Sequence, residues 1–114
     1  MTANTMQRIA LRLTSELEAI IEARRVELKA DPRVRVQHTH DVPPAYAIRD
    51  LIVTGCENVY TKHAEIQTIS GATTRTIALH IPLEFHGYVV AFATEYDLST
   101  HATLRALIVA GASS

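Results

Sequence analysis

Two short stretches of this chain set polar side chains at every second residue. From Gln7 to Thr14, Ile9, Leu11 and Leu13 point one way and Arg8, Ala10 and Arg12 the other. From Arg75 to Ile81, Ile77, Leu79 and Ile81 alternate in the same way with Thr76, Ala78 and His80. A period of two belongs to a half-buried strand. If the two strands pair antiparallel about Ala10 and Ala78, Arg8 stands opposite His80 and Arg12 opposite Thr76. A two-stranded ribbon has about the right width to enter the DNA major groove, where an arginine can pair bidentately with guanine. The plain alternative is a solvated strand face.

Other chemistry is thinner. His38-x-His40-Asp41 has a spacing that fits one edge of a strand, but no further ligand cluster joins it locally, so it reads as a polar loop. No metal and no cofactor are expected. Cys56 reads as a small packing residue. Phe85, Tyr88, Val89, Phe92 and Tyr96 form a helical stripe that reads as core, and His63, His86 and His101 are scattered, as surface residues are. There is no Gly-rich phosphate loop, nucleophile elbow or carboxylate pair, so an enzyme is not expected.

The elements that must position the strands repeat. Arg8-Ile9-Ala10-Leu11-Arg12-Leu13 returns as Thr76-Ile77-Ala78-Leu79-His80-Ile81, and Ile48 to Gly55 returns as Leu104 to Gly111. A first helix follows each strand. One starts at Thr14 or Ser15, with Leu17, Ile20, Ile21 and Leu28 on one face and Asp31-Pro32 as its stop. The other starts at Pro82. A second helix opens at Pro43-Pro44 in one half and at Ser99 or Thr100 in the other, with Gly55 and Gly111 as helix-ending residues. Arg24 stands where the second half has Phe92. Residues 31–42 are an insertion in the first half, where Val34 and Val36 alternate with Arg33, Arg35 and Gln37 as in a short strand or extended loop. Residues 56–74 link the halves. Each half is too small to bury its own apolar face, so the two are expected to complete one core.

With 114 residues and a net charge of −1, the chain reads as one domain without a global basic signature. That counts mildly against nonspecific nucleic-acid binding but leaves a local basic face open. A single cysteine rules out an intramolecular disulfide and fits a reducing cytoplasm. The N-terminus lacks an apolar signal core, and no stretch reaches the roughly 20 apolar residues of a membrane span.

The order of alternating strand, Pro82 or Thr14 at the strand-to-helix junction, and a Ser/Thr-headed second helix resembles the ribbon-helix-helix family of DNA-binding proteins, typified by the Arc and methionine repressors. The resemblance covers roughly residues 7–30, 43–55 and 75–111. It implies a mainly α fold with a two-stranded antiparallel β-ribbon: a tandem ribbon-helix-helix in which one chain makes the dimer that two chains usually make. Residues 1–114 would then be a single intertwined domain, with repeat one at 7–55, the linker at 56–74 and repeat two at 75–111. By position, the family's base-reading residues fall on Arg8, Ala10, Arg12, Thr76, Ala78 and His80. Its phosphate-contacting helix N-termini fall on Pro44, Ala45 and Tyr46 in one half and on Ser99, Thr100 and His101 in the other. The prolines of the first half remove donors there.

The resemblance implies a sequence-specific double-stranded DNA-binding protein, a transcriptional repressor or autoregulator of a plasmid, phage or other mobile element, cytoplasmic and associated with the nucleoid. The two ends of the ribbon differ chemically, which points to an asymmetric half-site. Self-association of such units on DNA is expected. Two further readings stay open: an accessory protein of a relaxosome or partition site, and a scaffold that binds protein, as an inhibitor or antitoxin does, through 31–42 or 56–74.

Overall fold

The computed structural model describes residues 6–37, 41–62 and 71–112. In chain order these form β1 (Met6–Leu13), α1 (Ser15–Lys29), α2 (Pro32–Gln37), α3 (Pro44–Lys62), β2 (Arg75–Pro82), α4 (Leu83–Glu95) and α5 (Thr100–Ala112). The two strands form one antiparallel sheet, in which Ala10 faces Ala78, Arg8 faces His80 and Arg12 faces Thr76. This is the register that the alternation predicts. Leu11, Leu13, Leu79 and Ile81 are fully buried beneath the sheet and Ile9 nearly so, while Ile77 is half-buried. A two-stranded sheet does not hold its shape in water alone. Here its apolar face is covered by helices.

The helical core centres on α3 and α5, where Ile48, Leu51, Ile52, Leu104, Leu107 and Ile108 are buried. The two helices come close enough that backbone meets backbone. A Cβ built on Gly55 would lie 2.1 Å from the Leu107 carbonyl oxygen, and one on Gly111 would lie 2.1 Å from the Leu51 carbonyl oxygen. The two contacts are related by the same offset that maps Ile48–Gly55 onto Leu104–Gly111. Glycine is demanded at both positions by this approach and not by a helix end, which corrects the sequence expectation. The helix α3 runs through Gly55 to Lys62, so the start of the expected 56–74 linker is helical, and α5 runs through Gly111 to Ala112. A mid-helix glycine costs about 1 kcal/mol of propensity. Packing offsets that cost, and buried Asn58 ties the extension of α3 down by donating Nδ2 to the Ala110 carbonyl at 2.7 Å.

The helix α2 replaces the strand or extended loop expected over 31–42. Asp31 acts as its cap, with Oδ1 accepting from the Arg33 amide at 2.9 Å and its carbonyl accepting from the Val34 and Arg35 amides. Pro32 occupies the first helical position, where its missing N–H is harmless. Val34 is buried and Val36 is 80% exposed, a split that suits a helix, where residues two apart face nearly opposite ways, and not a strand, where they share a face.

The helix α1 is capped by Thr14, whose Oγ1 accepts from the Leu17 amide at 3.3 Å, and it buries Leu17, Ile21 and Leu28. The helix α4 follows Pro82 with no side-chain cap and buries Val89, Phe92 and Ala93. Its expected apolar stripe is only partly core: Phe85 is half-buried, but Tyr88 is 53% and Tyr96 40% exposed. The chain leaves α4 through Asp97 at φ 53°, a left-handed conformation that aspartate tolerates, while the Leu98 amide donates back to the Ala93 carbonyl at 2.8 Å. Among the described residues no helix is long and apolar enough to cross a membrane.

Candidate nucleic-acid interface

The outer face of the ribbon presents Arg8, Ala10 and Arg12 on β1 and Thr76, Ala78 and His80 on β2, all exposed. Arg8 and Arg12 take part in no ion pair among the described residues, whereas neighbouring Arg75 is held by Glu18 at 2.7 Å. The two arginines are therefore free to meet an external acceptor. Alanines at the centre leave the middle of the face low, so a flat partner could approach the backbone closely there.

Helices hold both outer edges of the ribbon. On the β2 edge, Arg49 of α3 donates Nη1 to the His80 carbonyl at 3.2 Å. On the β1 edge, the His101 ring Nε2 of α5 meets the Ala10 carbonyl. Both carbonyls must turn away from the opposite strand to be reached. This makes Ala10–Ala78 and Arg8–His80 non-hydrogen-bonded pairs, the type in which facing side chains stand closer together. The two anchors also cover strand edges that would otherwise offer unpaired backbone groups to another chain. Sequence reasoning placed His101 among surface and phosphate-contacting residues and did not single out Arg49. Neither role has a signal in the sequence, since each depends on how a helix meets a strand remote in the chain.

The helix N-termini beside the ribbon differ. In α5, Ser99 Oγ accepts from the Ala102 amide at 3.1 Å and the Ser99 carbonyl from the Thr103 amide at 2.9 Å. The Thr100 and His101 amides have no acceptor among the described residues, and such a helix start favours anions. In α3, Pro44 has no amide hydrogen, and the Tyr46 and Ala47 amides both donate to the Pro43 carbonyl. Of the pair Ala45 and Tyr46, only the Ala45 amide lacks an acceptor among the described residues.

The remaining candidates do not join this face. Cys56 is half-buried on α3, and desolvation, with Glu57 adding to it, pushes its thiol up to about 11. It is protonated at neutral pH and a poor nucleophile. His38, His40 and His63 lie outside the described residues, among which no three His, Cys, Asp or Glu side chains gather as a metal site would need. The chain matches no known protein-family description, no curated protein and no solved structure.

Proposed function

We propose that this chain is a sequence-specific double-stranded DNA-binding protein that inserts its ribbon into the major groove, acting as a repressor or autoregulator of a mobile element. On this reading it is a tandem ribbon-helix-helix, a dimer fused into one chain. The observation that carries the reading is the outer face of the ribbon: two unpaired arginines, His80 and Thr76 arranged around a low Ala10–Ala78 centre, with both edges braced by helices. The matched Gly55–Leu107 and Gly111–Leu51 contacts support the fused dimer, because a twofold axis through the α3–α5 crossing would generate one from the other. The net charge of −1 does not oppose the reading, since a local face with two unpaired arginines does not need a basic chain overall.

Arg8 and Arg12 read base edges, and the unpaired Thr100 and His101 amides hold a phosphate. The Arg8–His80 end and the Arg12–Thr76 end differ, so one unit reads an asymmetric half-site. The α3 start holds phosphate more weakly than the α5 start.

Selection of bound sites from random duplex DNA with purified protein tests this directly. A defined site should emerge, and alanine at Arg8 or Arg12 should each cost roughly 1–3 kcal/mol of discrimination at the base pair read. Affinity should fall steeply with salt, as phosphate contacts require. An R8A/R12A variant with unchanged site preference, or no enrichment at all, would overturn the assignment.

A further inference from the structure

The flank of the molecule away from α1 carries an open cleft between α3 and α4. Its two adjoining lobes, of about 470 and 340 Å³, share Val53, Phe85 and Tyr88, and Tyr60 and Phe92 floor the larger one. Val53, Tyr60 and Tyr88 are exposed there. Glu57 and Glu84 also line the cleft, both exposed and in no ion pair among the described residues. It is an aromatic surface whose rim carries these two glutamates and Arg49, the last tied to the His80 carbonyl, and an exposed apolar patch of this kind marks an interaction site.

The surface that complements it lies on the same chain. On α2, Val36 is 80% exposed, and one turn earlier the Arg33 side chain is 93% exposed. Arg35 is exposed too and in no ion pair among the described residues, while Arg33 reaches only its neighbour Asp31, at 3.7 Å. An apolar tip between two arginines fits an aromatic cleft between two glutamates, by charge and by the attraction of guanidinium for aromatic faces. This helix cannot reach its own cleft. It packs on α1, and neither α1 nor α2 approaches α4. Nor does the cleft suit its own twin, since carboxylates would face carboxylates.

We infer that copies of this chain associate head to tail, α2 of one seated in the α3–α4 cleft of the next. A single contact between unlike surfaces leaves one of each unfilled, so the assembly grows until it closes on itself or remains an open chain. Where the DNA-binding reading also holds, an open assembly would set successive ribbons the same way and read direct repeats.

Sedimentation velocity of the purified chain without DNA tests the association by itself. The wild type should sediment faster as concentration rises, and less so in high salt. The variants R33E/R35E and E57R/E84R, altered only at exposed side chains, should each stay monomeric at every concentration, with wild-type circular dichroism and melting. The combined variant R33E/R35E/E57R/E84R, with the charges exchanged, should associate again. A wild type that is monomeric throughout, an R33E/R35E variant that associates as wild type does, or a combined variant that stays monomeric would each overturn the inference. A monomer that still selects a DNA site refutes the association alone, and an associating chain that selects none refutes only the DNA-binding reading.

Discussion

The helices α1 and α4 each follow a strand of the ribbon and pack on the α3–α5 pair, yet they are held by different forces. The helix α1 packs on both α3 and α5 and is tied by charge. Arg24 donates to the Gly111 carbonyl at 3.0 Å and faces Asp50 at 3.2 Å. Arg25 reaches Glu22, Asp41 and the Val42 carbonyl, and Lys29 reaches Asp41. The helix α4 packs on α5 and the ribbon, meets α3 only through side chains such as Tyr60 on Phe92, whose ring centres lie 4.8 Å apart, and makes no ion pair among the described residues. Arg24 lies where α1 meets α3 and α5, and Phe92 lies buried on α4. Arg24 spans two helices, bonding the Gly111 carbonyl of α5 and facing Asp50 of α3. A phenylalanine fills the bottom of a cleft and leaves the top open.

The α3–α5 crossing gives the largest expected effect. Alanine at Gly55 or at Gly111 drives a Cβ into a carbonyl of the facing helix, a backbone group that cannot swing aside. Each substitution should cost about 3 kcal/mol or more in urea unfolding, at the upper end of overpacking costs. The two should agree closely, because the contacts they break match in distance. A G55A variant far milder than G111A would show that the two sides of the crossing are not equivalent.

The next effect belongs to the α1 flank. Replacing Arg24 with Met removes a charged donor from the Gly111 carbonyl and the cation facing Asp50, for a loss of about 2 kcal/mol at neutral pH. The pH dependence is more telling. Burial raises the Asp50 carboxyl above its ordinary 3.8, and Arg24 pulls against that rise. A raised value means that the folded protein binds this proton more tightly than the unfolded chain. The stabilisation is complete below 3.8 and is lost as pH climbs through the folded value. Without Arg24 the folded value rises further, so between about pH 4 and neutrality stability should decline with pH more in R24M than in wild type. Urea titrations across that range measure it, and R24M/D50N should lose the extra slope. Equal slopes in R24M and wild type would mean that Arg24 closes this flank by packing and not by charge.

What could be read from the sequence follows the range of the forces involved. The ribbon register was legible because alternation is local and Ala10 and Ala78 sit at matching places in two similar strings. The insertion was not, because Arg33-Val34-Arg35-Val36 alternates as a strand would, and the decisive signal, Asp31 capping a helix that starts at Pro32, is equally a signal for ending the previous one. Gly55 was legible as a special position but for the wrong reason: the Leu107 carbonyl that demands it is distant in sequence. Tyr88 was legible as apolar periodicity, but periodicity cannot say whether a neighbouring helix arrives to cover it. For the candidate interface, Arg8, Arg12 and His80 were found from strand parity alone. Arg49 and His101 act on carbonyls of strands far along the chain, and nothing in their own neighbourhoods announces this.

The smallest effects test how the two flanks begin. Thr14 both ends β1 and caps α1, so Thr14→Ala should cost about 1 kcal/mol, the usual value of a side-chain cap. Pro82 stands at the same place before α4, at φ −57° and ψ 143°, and offers no side-chain acceptor. Threonine fits that backbone and would add a cap worth about 1 kcal/mol. The lost proline returns freedom to the unfolded chain and takes back about 0.4–1 kcal/mol. Pro82→Thr should therefore change stability by less than about 0.5 kcal/mol in either direction. If it stabilised the protein by more than a full cap is worth, the start of α4 would be strained in the native chain, and the open cleft would owe something to a poorly seated helix. If it stayed near zero, proline and threonine would be two equivalent solutions to one junction, and the contrast between the flanks would rest on Arg24 and Phe92.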